Sequence, residues 1–219
     1  MNTTSGGILF RNEATNELSD VALRNVANNL DGLGRNTRIR YDTPTFNGFQ
    51  VRTSVVNQGG VDAALFYEGS TDRLKIAAGV AWANTNEANG GPRTPNSIDD
   101  QVSGSVSVLD TSGFSITAAY GVGSKVDSSI EDVTFMYTKL GYQTNLTSIG
   151  KTYFSVDYAQ TEDLAQEDDT AKVYGVQALQ KITDISTDVY AGLRTLSLDR
   201  TGVEYEDNLI AIVGARLAF

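Results

Sequence analysis

Polar and apolar side chains alternate through residues 35–57, and this pattern constrains the fold more than any other feature of the chain. Arg38 and Arg40 alternate with Ile39 and Tyr41 before a short turn. After the turn, one set of alternate positions is Phe49, Val51, Thr53 and Val55, and the other is Gln50, Arg52 and Ser54. Because successive side chains of a β-strand point to opposite faces, the stretch predicts a β-hairpin with one apolar face and one face that carries arginines.

The same alternation recurs to the end of the chain, in about eleven segments of roughly ten residues each. The clearest segments after the first hairpin are 61–67, 74–82, 102–108, 114–122, 133–143, 151–160, 171–181, 188–198 and 209–219. Strands of globular proteins are usually about five or six residues long, whereas a tilted strand that crosses a bilayer needs about ten. The pattern therefore predicts an all-β protein, and specifically a transmembrane antiparallel β-barrel.

Connections between the predicted strands fall into two classes by length. Tight turns are expected at 43–48, 69–72, 110–113, 144–150 and 183–187, and longer polar loops at 84–100, 123–132, 161–170 and 199–208. The two classes interleave, and 58–60 is the exception, a short connection on the side of the long loops. Short turns at one edge and longer loops at the other are typical of outer-membrane barrels. The Greek-key links of a β-sandwich would not be sorted in this way.

The composition excludes several classes of function. The 219 residues include no cysteine and no histidine, and the formal net charge is −10. The chain therefore cannot form disulfides or Cys/His zinc sites and has no imidazole base, and we predict no enzymatic activity and no cofactor. Nucleic acid is not an expected partner, because phosphate binding needs a basic surface. No apolar run approaches the roughly 18 residues of a membrane helix, and the first residues do not have the form of a secretory signal.

The residues before the first hairpin follow a different pattern. Ser19 and Asp20 have the residue types of a helix start, which are a capping hydroxyl and then an acid in the first turn. The apolar edge of this helix would consist of Val21, Leu23, Val26 and Leu30. Gly32 and Gly34 would end it after about two or three turns. We therefore expect residues 1–35 to contain a short helix, ahead of the strands in residues 36–219.

Several segments resemble the general porins of Gram-negative bacteria, in particular the type found in alphaproteobacteria. The resemblance is carried by GILFRN (7–12), NLDGLGR (29–35), RIRYDTPTF (38–46), the pair Gly48 and Phe49, and the terminal Phe219. It implies an outer-membrane channel that is filled with water and permits passive diffusion of small hydrophilic solutes and ions. Residues 1–35 are similar to the loop that folds into such a barrel and narrows the pore. Phe219 is similar to the terminal residue that the barrel-assembly machinery recognises.

The resemblance also implies strands and partners beyond those that the sequence shows directly. Porins of this type have about sixteen strands, form homotrimers and carry a signal peptide. About eleven strands follow the loop-like segment here, so the first five or so strands and the signal are expected to be missing from the sequence. Outer-membrane lipid, lipopolysaccharide and the assembly machinery are the implied partners.

Two sets of charged residues are candidates for a pore constriction. The basic set is Arg38, Arg40, Arg52 and Lys75, and the acidic set is Glu13, Glu17, Asp20 and Asp31. In this hypothesis the basic residues line the barrel wall and the acidic residues face them from the inward loop. Charges that face each other across a narrow aqueous constriction create a transverse field and select solutes by size and charge.

Acidic residues are also frequent in the predicted long loops. They are Asp99, Asp100, Glu162, Asp163, Glu167, Asp168, Asp169, Glu204, Glu206 and Asp207. Since hard cations prefer carboxylate oxygens, these loops could hold loosely bound divalent cations that bridge to lipopolysaccharide. None of them has the spacing of a calcium-binding loop.

Two alternatives to a large porin barrel remain open from the sequence. A smaller complete barrel would show one continuous ladder from the first strand to the last, with residues 8–11 as an additional strand. A soluble β-sandwich or adhesin-like binding module would bury Trp82 and Tyr120 against other side chains. The position of these two aromatic residues therefore discriminates between the sandwich and either barrel.

Overall fold

A computed structural model of the protein describes residues 6–34, 36–57, 59–85 and 93–218. Its elements are β1 (Leu9–Asn12), β2 (Leu18–Ala22), α1 (Leu23–Val26), β3 (Arg38–Asp42), β4 (Phe49–Val56), β5 (Val61–Ser70), β6 (Leu74–Asn84), β7 (Ile98–Asp110), β8 (Phe114–Lys125), β9 (Val133–Thr147), β10 (Gly150–Glu162), β11 (Thr170–Ile182), a 3₁₀ turn (Thr183–Ile185), β12 (Thr187–Asp199), β13 (Tyr205–Glu206) and β14 (Asn208–Leu217). Strands β1, β2 and β13 form a small sheet, and the other 11 strands form one large sheet.

The large sheet is an antiparallel meander. Each of its strands pairs with the next strand of this sheet along the chain. The predicted first hairpin is its first pair, with Arg40 opposite Ser54. At one end of the strands, tight turns connect every second pair of consecutive strands. Gly113 lies in one of these turns and shows why glycine is needed there. Its φ is +96°, and a Cβ there would lie 2.2 Å from the carbonyl oxygen of Gln143. The predicted all-β architecture and the expected number of sheet strands are confirmed.

The two faces of the large sheet differ as the alternation predicted. We call the face on which residues 6–34 pack the inner face, and the opposite one the outer face. Apolar side chains of the outer face are exposed: Val213 is 79% exposed, Tyr120 56% and Trp82 41%. Within the described ranges no second layer covers them, so the β-sandwich alternative, which required these aromatic residues to be buried, is wrong.

Aromatic pairs lie on the outer face near both ends of the strands. Close to the tight turns, the rings of Phe114 and Tyr142 have their centroids 4.6 Å apart, and a second pair there is formed by Phe49 and Tyr67 at 4.7 Å. Towards the long loops, the rings of Tyr158 and Tyr174 lie 4.9 Å apart. Each pair joins neighbouring strands, which is how cross-strand side-chain contacts stabilise a sheet.

The sheet has two edges and does not close on itself in the described part of the chain. Strands β3 and β14 are its edges, and β1 pairs with β2 and β13 instead of extending the large sheet. The continuous ladder that a smaller complete barrel requires is therefore not present among these residues. None of the described helices has both the length and the apolar character needed to span a membrane.

The segment before β3 contains much less helix than expected. Residues 18–22 form β2, which pairs with β1, and only the single turn α1 is helical. The hydroxyl of Ser19 donates to the carbonyl oxygen of Phe10 at 2.7 Å, so it stabilises the hairpin and does not cap a helix. The prediction of a helix of two or three turns is wrong because pairing with β1 satisfies this backbone instead.

Three of the four apolar residues assigned to that helix are nevertheless buried. Leu23, Val26 and Leu30 belong to a hydrophobic core, which they share with side chains of the inner face. The wall residues of this core are Val133, Phe135, Ala159, Ala171, Val173, Leu196 and Leu198. All of these wall residues are on β9 to β12 near the long loops, so the N-terminal segment is packed against that part of the inner face.

Candidate functional site

An extended segment, residues 27–34, crosses the inner face, and we call it the strap. At one end, the hydroxyl of Thr161 on β10 accepts a hydrogen bond from the Asn28 amide at 3.2 Å and donates to the Asn28 carbonyl at 3.0 Å. At the other end, the guanidinium of Arg38 on β3 donates to the carbonyl oxygen of Leu33 at 3.2 Å and to that of Gly34. The strap is thus attached to the wall at both ends.

Leu30 anchors the middle of the strap. Its side chain is 1% exposed and lies on Gly121 of β8, where a Cβ would be 3.2 Å from Leu30 Cδ1. Its backbone φ is +47°, a left-handed conformation that leucine rarely adopts. The side chain of Asn28 supports this conformation, because its Oδ1 accepts the Leu30 amide at 2.8 Å. A glycine inside β8 therefore has a packing reason, since it leaves room for the strap.

Three of the four predicted basic residues lie together on β3 and β4. The guanidinium of Arg40 donates twice to the carboxylate of Asp42, and Arg52 Nε lies 3.7 Å from the same carboxylate. Arg38 Nη1 is 3.7 Å from Asp62 Oδ2. The acidic partners of these arginines therefore come from the sheet itself.

The other predicted residues lie away from this cluster. Lys75 is at the tight-turn end of β6. Glu13 and Glu17 are exposed in the connection between β1 and β2, Asp20 is exposed on β2, and Asp31 is exposed on the strap. In the parts of the chain that the structure describes, no ion pair joins the predicted acidic set to the predicted basic set. The arrangement of the two sets across a pore stays a prediction.

A second charged cluster on the inner face was missed by the sequence reasoning. The carboxylate of Asp157 on β10 accepts a hydrogen bond from Gln177 Nε2 at 2.5 Å and lies 3.3 Å from Arg194 Nη2. Gly175 stands between the two charged residues on β11, where a Cβ would lie 2.6 Å from Asp157 Oδ1. Lys139 on β9 is directly opposite Asp157. The alternation places these charges on the inner face, and that is the signal that could have found them.

A cavity of about 870 Å³ lies between the strap and this second cluster. Asn29 and Asp31 line it from the strap, and Arg194, Tyr137 and Tyr153 line it from the wall. The Asn29 side chain donates to the carboxylate of Asp31 at 3.3 Å. The cavity combines aromatic surface with both signs of charge, and its volume is in the range that holds a small organic solute.

The long loops are joined to each other by two cations, Lys125, which is buried, and Arg200, which is partly buried. Lys125 Nζ donates to the carbonyl oxygens of Asp163 and Leu164 at 2.8 and 3.2 Å, and to the side chain of Asn96. Arg200 forms two hydrogen bonds with the carboxylate of Asp169, and this contact raises the pKa of Arg200. The contacts of Lys125 and Arg200 connect three of the long loops to each other.

The acidic loops show no preformed metal site in the described ranges. No group of three or more acidic residues is close enough there to hold a metal ion. Desolvation raises the pKa of Asp163 in one of these loops. Binding of divalent cations by the loops remains a prediction.

Comparison with known proteins places this geometry among bacterial outer-membrane proteins. A family model described as Gram-negative porin matches residues 2–201. Among solved structures, the anion-selective porin from Comamonas acidovorans superimposes with a TM-score of 0.56 at 13% identity, over 98% of this chain and 64% of that one. OccK8 (OprE) from Pseudomonas aeruginosa gives a TM-score of 0.52 at 12% identity, over 82% of this chain and 57% of that one.

At these identities the two structural likenesses show the fold alone. The chain spans less than two thirds of the length of either protein. No curated protein sequence matches it.

Proposed function

The chain belongs to the Gram-negative porin family, and from this premise we propose that it forms the wall of a water-filled channel for passive diffusion of small hydrophilic solutes and ions. Membership in this family places the protein in the bacterial outer membrane. It also favours a channel over an enzyme, in agreement with a sequence that contains no histidine.

The observation that carries the proposal is the orientation of the sheet. Apolar side chains such as Ile39 and Val213 are exposed on the outer face, while Arg40 and Asp42 lie on the inner face with the strap. In water this arrangement would leave a large apolar surface exposed, at a cost of about 25 cal/mol for each Å². In a bilayer the same surface contacts lipid chains, and the aromatic pairs near both edges suit the two interfaces.

The two free edges of the sheet agree with a larger barrel. Because the sheet has 11 antiparallel strands, β3 and β14 run in the same direction and cannot close on each other in an antiparallel ladder. An odd number of further strands between them would complete a fully antiparallel barrel with an even number of strands. Five further strands meet this condition and give about sixteen, a number typical of porins.

The charge of the inner face favours anions. Alternation along β3 to β12 and β14 directs ten basic residues inward: Arg38, Arg40, Arg52, Lys75, Lys125, Lys139, Lys151, Lys181, Arg194 and Arg216. It directs six acidic residues inward: Asp42, Asp62, Glu68, Asp99, Asp157 and Asp188. A pore lined by an excess of positive charge concentrates anions, and one structural neighbour is named as an anion-selective porin. We therefore propose an anion-preferring channel, although the chain as a whole is acidic.

The constriction is proposed to lie between the strap and the arginine cluster of β3 and β4. In this reading residues 1–35 form the inward segment and residues 36–219 contribute strands to the barrel. Homotrimer formation, contact with lipopolysaccharide, and recognition of Phe219 by the assembly machinery are part of the same proposal. Phe219 itself lies outside the described residues.

Reconstitution of the full-length protein in planar bilayers tests the channel. Stepwise conductance is expected, and its absence from correctly folded protein would refute the proposed function. The reversal potential in a KCl gradient then tests the basic wall. Arg38→Glu combined with Arg40→Glu should shift it towards cation preference, because four units of charge are exchanged within one cluster.

A matched control is Arg73→Glu combined with Arg216→Glu. Arg73 is exposed in the turn after β5 and Arg216 is exposed at the tight-turn end of β14, so these residues lie outside the proposed constriction. Equal shifts in the two double variants, or unchanged potentials in both, would show that Arg38 and Arg40 do not line the narrow part of the pore.

A further inference from the structure

We propose that the cavity between the strap and β9 to β12 is a binding site for a small organic carboxylate on its way through the channel. The carboxylate would bind Arg194, and its apolar body would lie against the tyrosines of the wall. The inference rests on the proposed function, since it concerns a solute inside the pore. It adds a site on the wall of β9 to β12, apart from the arginine cluster of β3 and β4.

Arg194 has the donors that such a ligand needs. A guanidinium carries five N–H donors, and the described residues provide one hydrogen-bonding partner to Arg194, the carboxylate of Asp157 at Nη2. The Arg194 side chain is 25% exposed and lines the cavity. The donors that Asp157 does not use can therefore bind a carboxylate, for which the planar guanidinium is well suited.

The neighbours of Arg194 fix its position and give the wall cluster a net positive charge. Asp157 is almost fully buried and is held by Gln177, so it contacts Arg194 from within the wall. Gly175 leaves the space through which Asp157 reaches that arginine. Lys139 is opposite Asp157 and has no ion pair among the described residues. Arg194, Lys139 and Asp157 give the wall cluster one net positive charge. Of these, Arg194 and Asp157 line the cavity, and Asp31 faces them from the strap.

The remaining walls determine the shape and polarity of the ligand. Tyr137, Tyr153 and Tyr190 line the cavity and provide flat apolar surface with hydroxyl groups at the ring ends. Asp31 lies across the cavity on the strap and would repel a second negative charge on the solute. The combination favours a monocarboxylate with an aromatic or compact aliphatic body over an inorganic anion or a dicarboxylate.

Benzoate is the probe for this site, and benzamide is its uncharged counterpart. Single-channel currents of the full-length protein are recorded at about pH 7 in chloride, with increasing benzoate or benzamide. We expect benzoate to reduce the open-channel current in a saturable way, and benzamide at equal concentration to have no such effect. If conductance steps occur but benzoate causes no saturable reduction, the inference is overturned and the proposed channel function stands. If folded protein gives no conductance at all, the channel function itself has failed.

Arg194→Gln is expected to weaken the benzoate effect by at least about tenfold, because the charge-assisted contact is lost. The matched control is Arg216→Gln, which also removes an inward arginine paired with an aspartate, Asp188 at 2.6 Å, but outside the cavity. The control should keep the wild-type response to benzoate. If both variants lose the response to benzoate equally, the effect comes from the overall charge of the pore, and the proposed binding site is refuted.

Tyr153→Ala keeps the inference testable if Arg194→Gln does not assemble. It removes apolar surface from the cavity and leaves every charge in place. We expect it to weaken the response to benzoate and to leave the response to acetate, a carboxylate without a ring, unchanged. A Tyr153→Ala channel with unchanged benzoate affinity would overturn the proposed position of the aromatic body.

Discussion

Replacement of Leu30 by alanine measures how firmly the strap is held to the wall. The Leu30 side chain is 1% exposed and contacts Gly121 and Gly123 of β8 and the core of the N-terminal segment. Because β8 is fixed by strands on both sides, the wall cannot collapse into the space that alanine leaves. The loss should therefore be in the usual range for a buried leucine, about 2 to 5 kcal/mol.

This loss acts on the attachment of the strap and not on the large sheet. The left-handed backbone of residue 30 is as unfavourable for alanine as for leucine, so the substitution removes packing and gives no relief of strain. A loss of about 3 kcal/mol lowers the ratio of attached to detached strap by about a hundredfold. The sheet itself should keep its stability, because its hydrogen-bonded ladders do not include the strap.

Hydrogen exchange of the refolded protein is the assay. The amides of Asn28 and Leu30, which donate to Thr161 and to the Asn28 side chain, should lose about two orders of magnitude of protection. Amides in β9 to β12 should be unaffected. In planar bilayers the same variant should show more current noise than the wild type, since a strap that detaches changes the width of the pore.

Leu209→Ala is the matched control for this experiment. It makes the same chemical change at a residue of β14 that is 73% exposed on the outer face. It should leave protection of the strap amides at the wild-type level. If Leu30→Ala and Leu209→Ala give the same protection at Asn28 and Leu30, the packing of Leu30 does not hold the strap and the reasoning is refuted.

Three further predictions concern other contacts. Asn28→Ala removes the acceptor for the Leu30 amide and should reduce protection of that amide by about fivefold, equivalent to about 1 kcal/mol. An unchanged exchange rate would contradict the support assigned to this side chain. Arg200→Gln leaves the buried carboxylate of Asp169 without its cation and should destabilise the loops by about 3 kcal/mol. Proteolysis of the 163–169 loop should therefore be faster than in the wild type. Arg73→Gln, which removes the cation of an exposed pair, should leave the rate of this proteolysis unchanged. Deletion of Phe219 should lower the amount of folded protein in the outer membrane, measured by its heat-modifiable mobility in gels, and normal levels would contradict its role in assembly.

The strands and their faces could be predicted from the sequence because a period of two is a local property. A residue such as Val106 or Tyr120 is assigned to the outer face by its immediate neighbours, and each antiparallel strand pairs with the next one in the chain. The register then follows from tight turns of fixed length. The predicted orientation of the sheet needed no information from distant residues.

The N-terminal segment could not be predicted in the same way. The spacing of Leu23, Val26 and Leu30 fits one edge of a helix, but burial against the wall of β9 to β12 produces the same spacing of apolar residues. The backbone of residues 18–22 pairs with β1, which in turn pairs with β13 from the far end of the chain. This pairing with distant residues determines the backbone conformation of residues 18–22, and no local pattern of residue types in the sequence predicts it.

The cluster of Asp157, Gln177 and Arg194 was missed for a related reason. Its residues come from three strands, and contact between Asp157 and Arg194 depends on the missing side chain of Gly175. Alternation predicts that each charge is on the inner face, but it does not predict which charges meet. The pairing follows from register across two ladders, and only the assembled sheet contains that information.

The contacts of Lys125 have a consequence for how the outer surface of this protein can change over evolutionary time. Two of its acceptors are main-chain carbonyl oxygens of residues 163 and 164, and every amino acid supplies such an oxygen. Side chains at the tips of these loops can therefore be exchanged without loosening the attachment beneath them. Acidification would not release this attachment either, because neither of these carbonyl acceptors gains a proton.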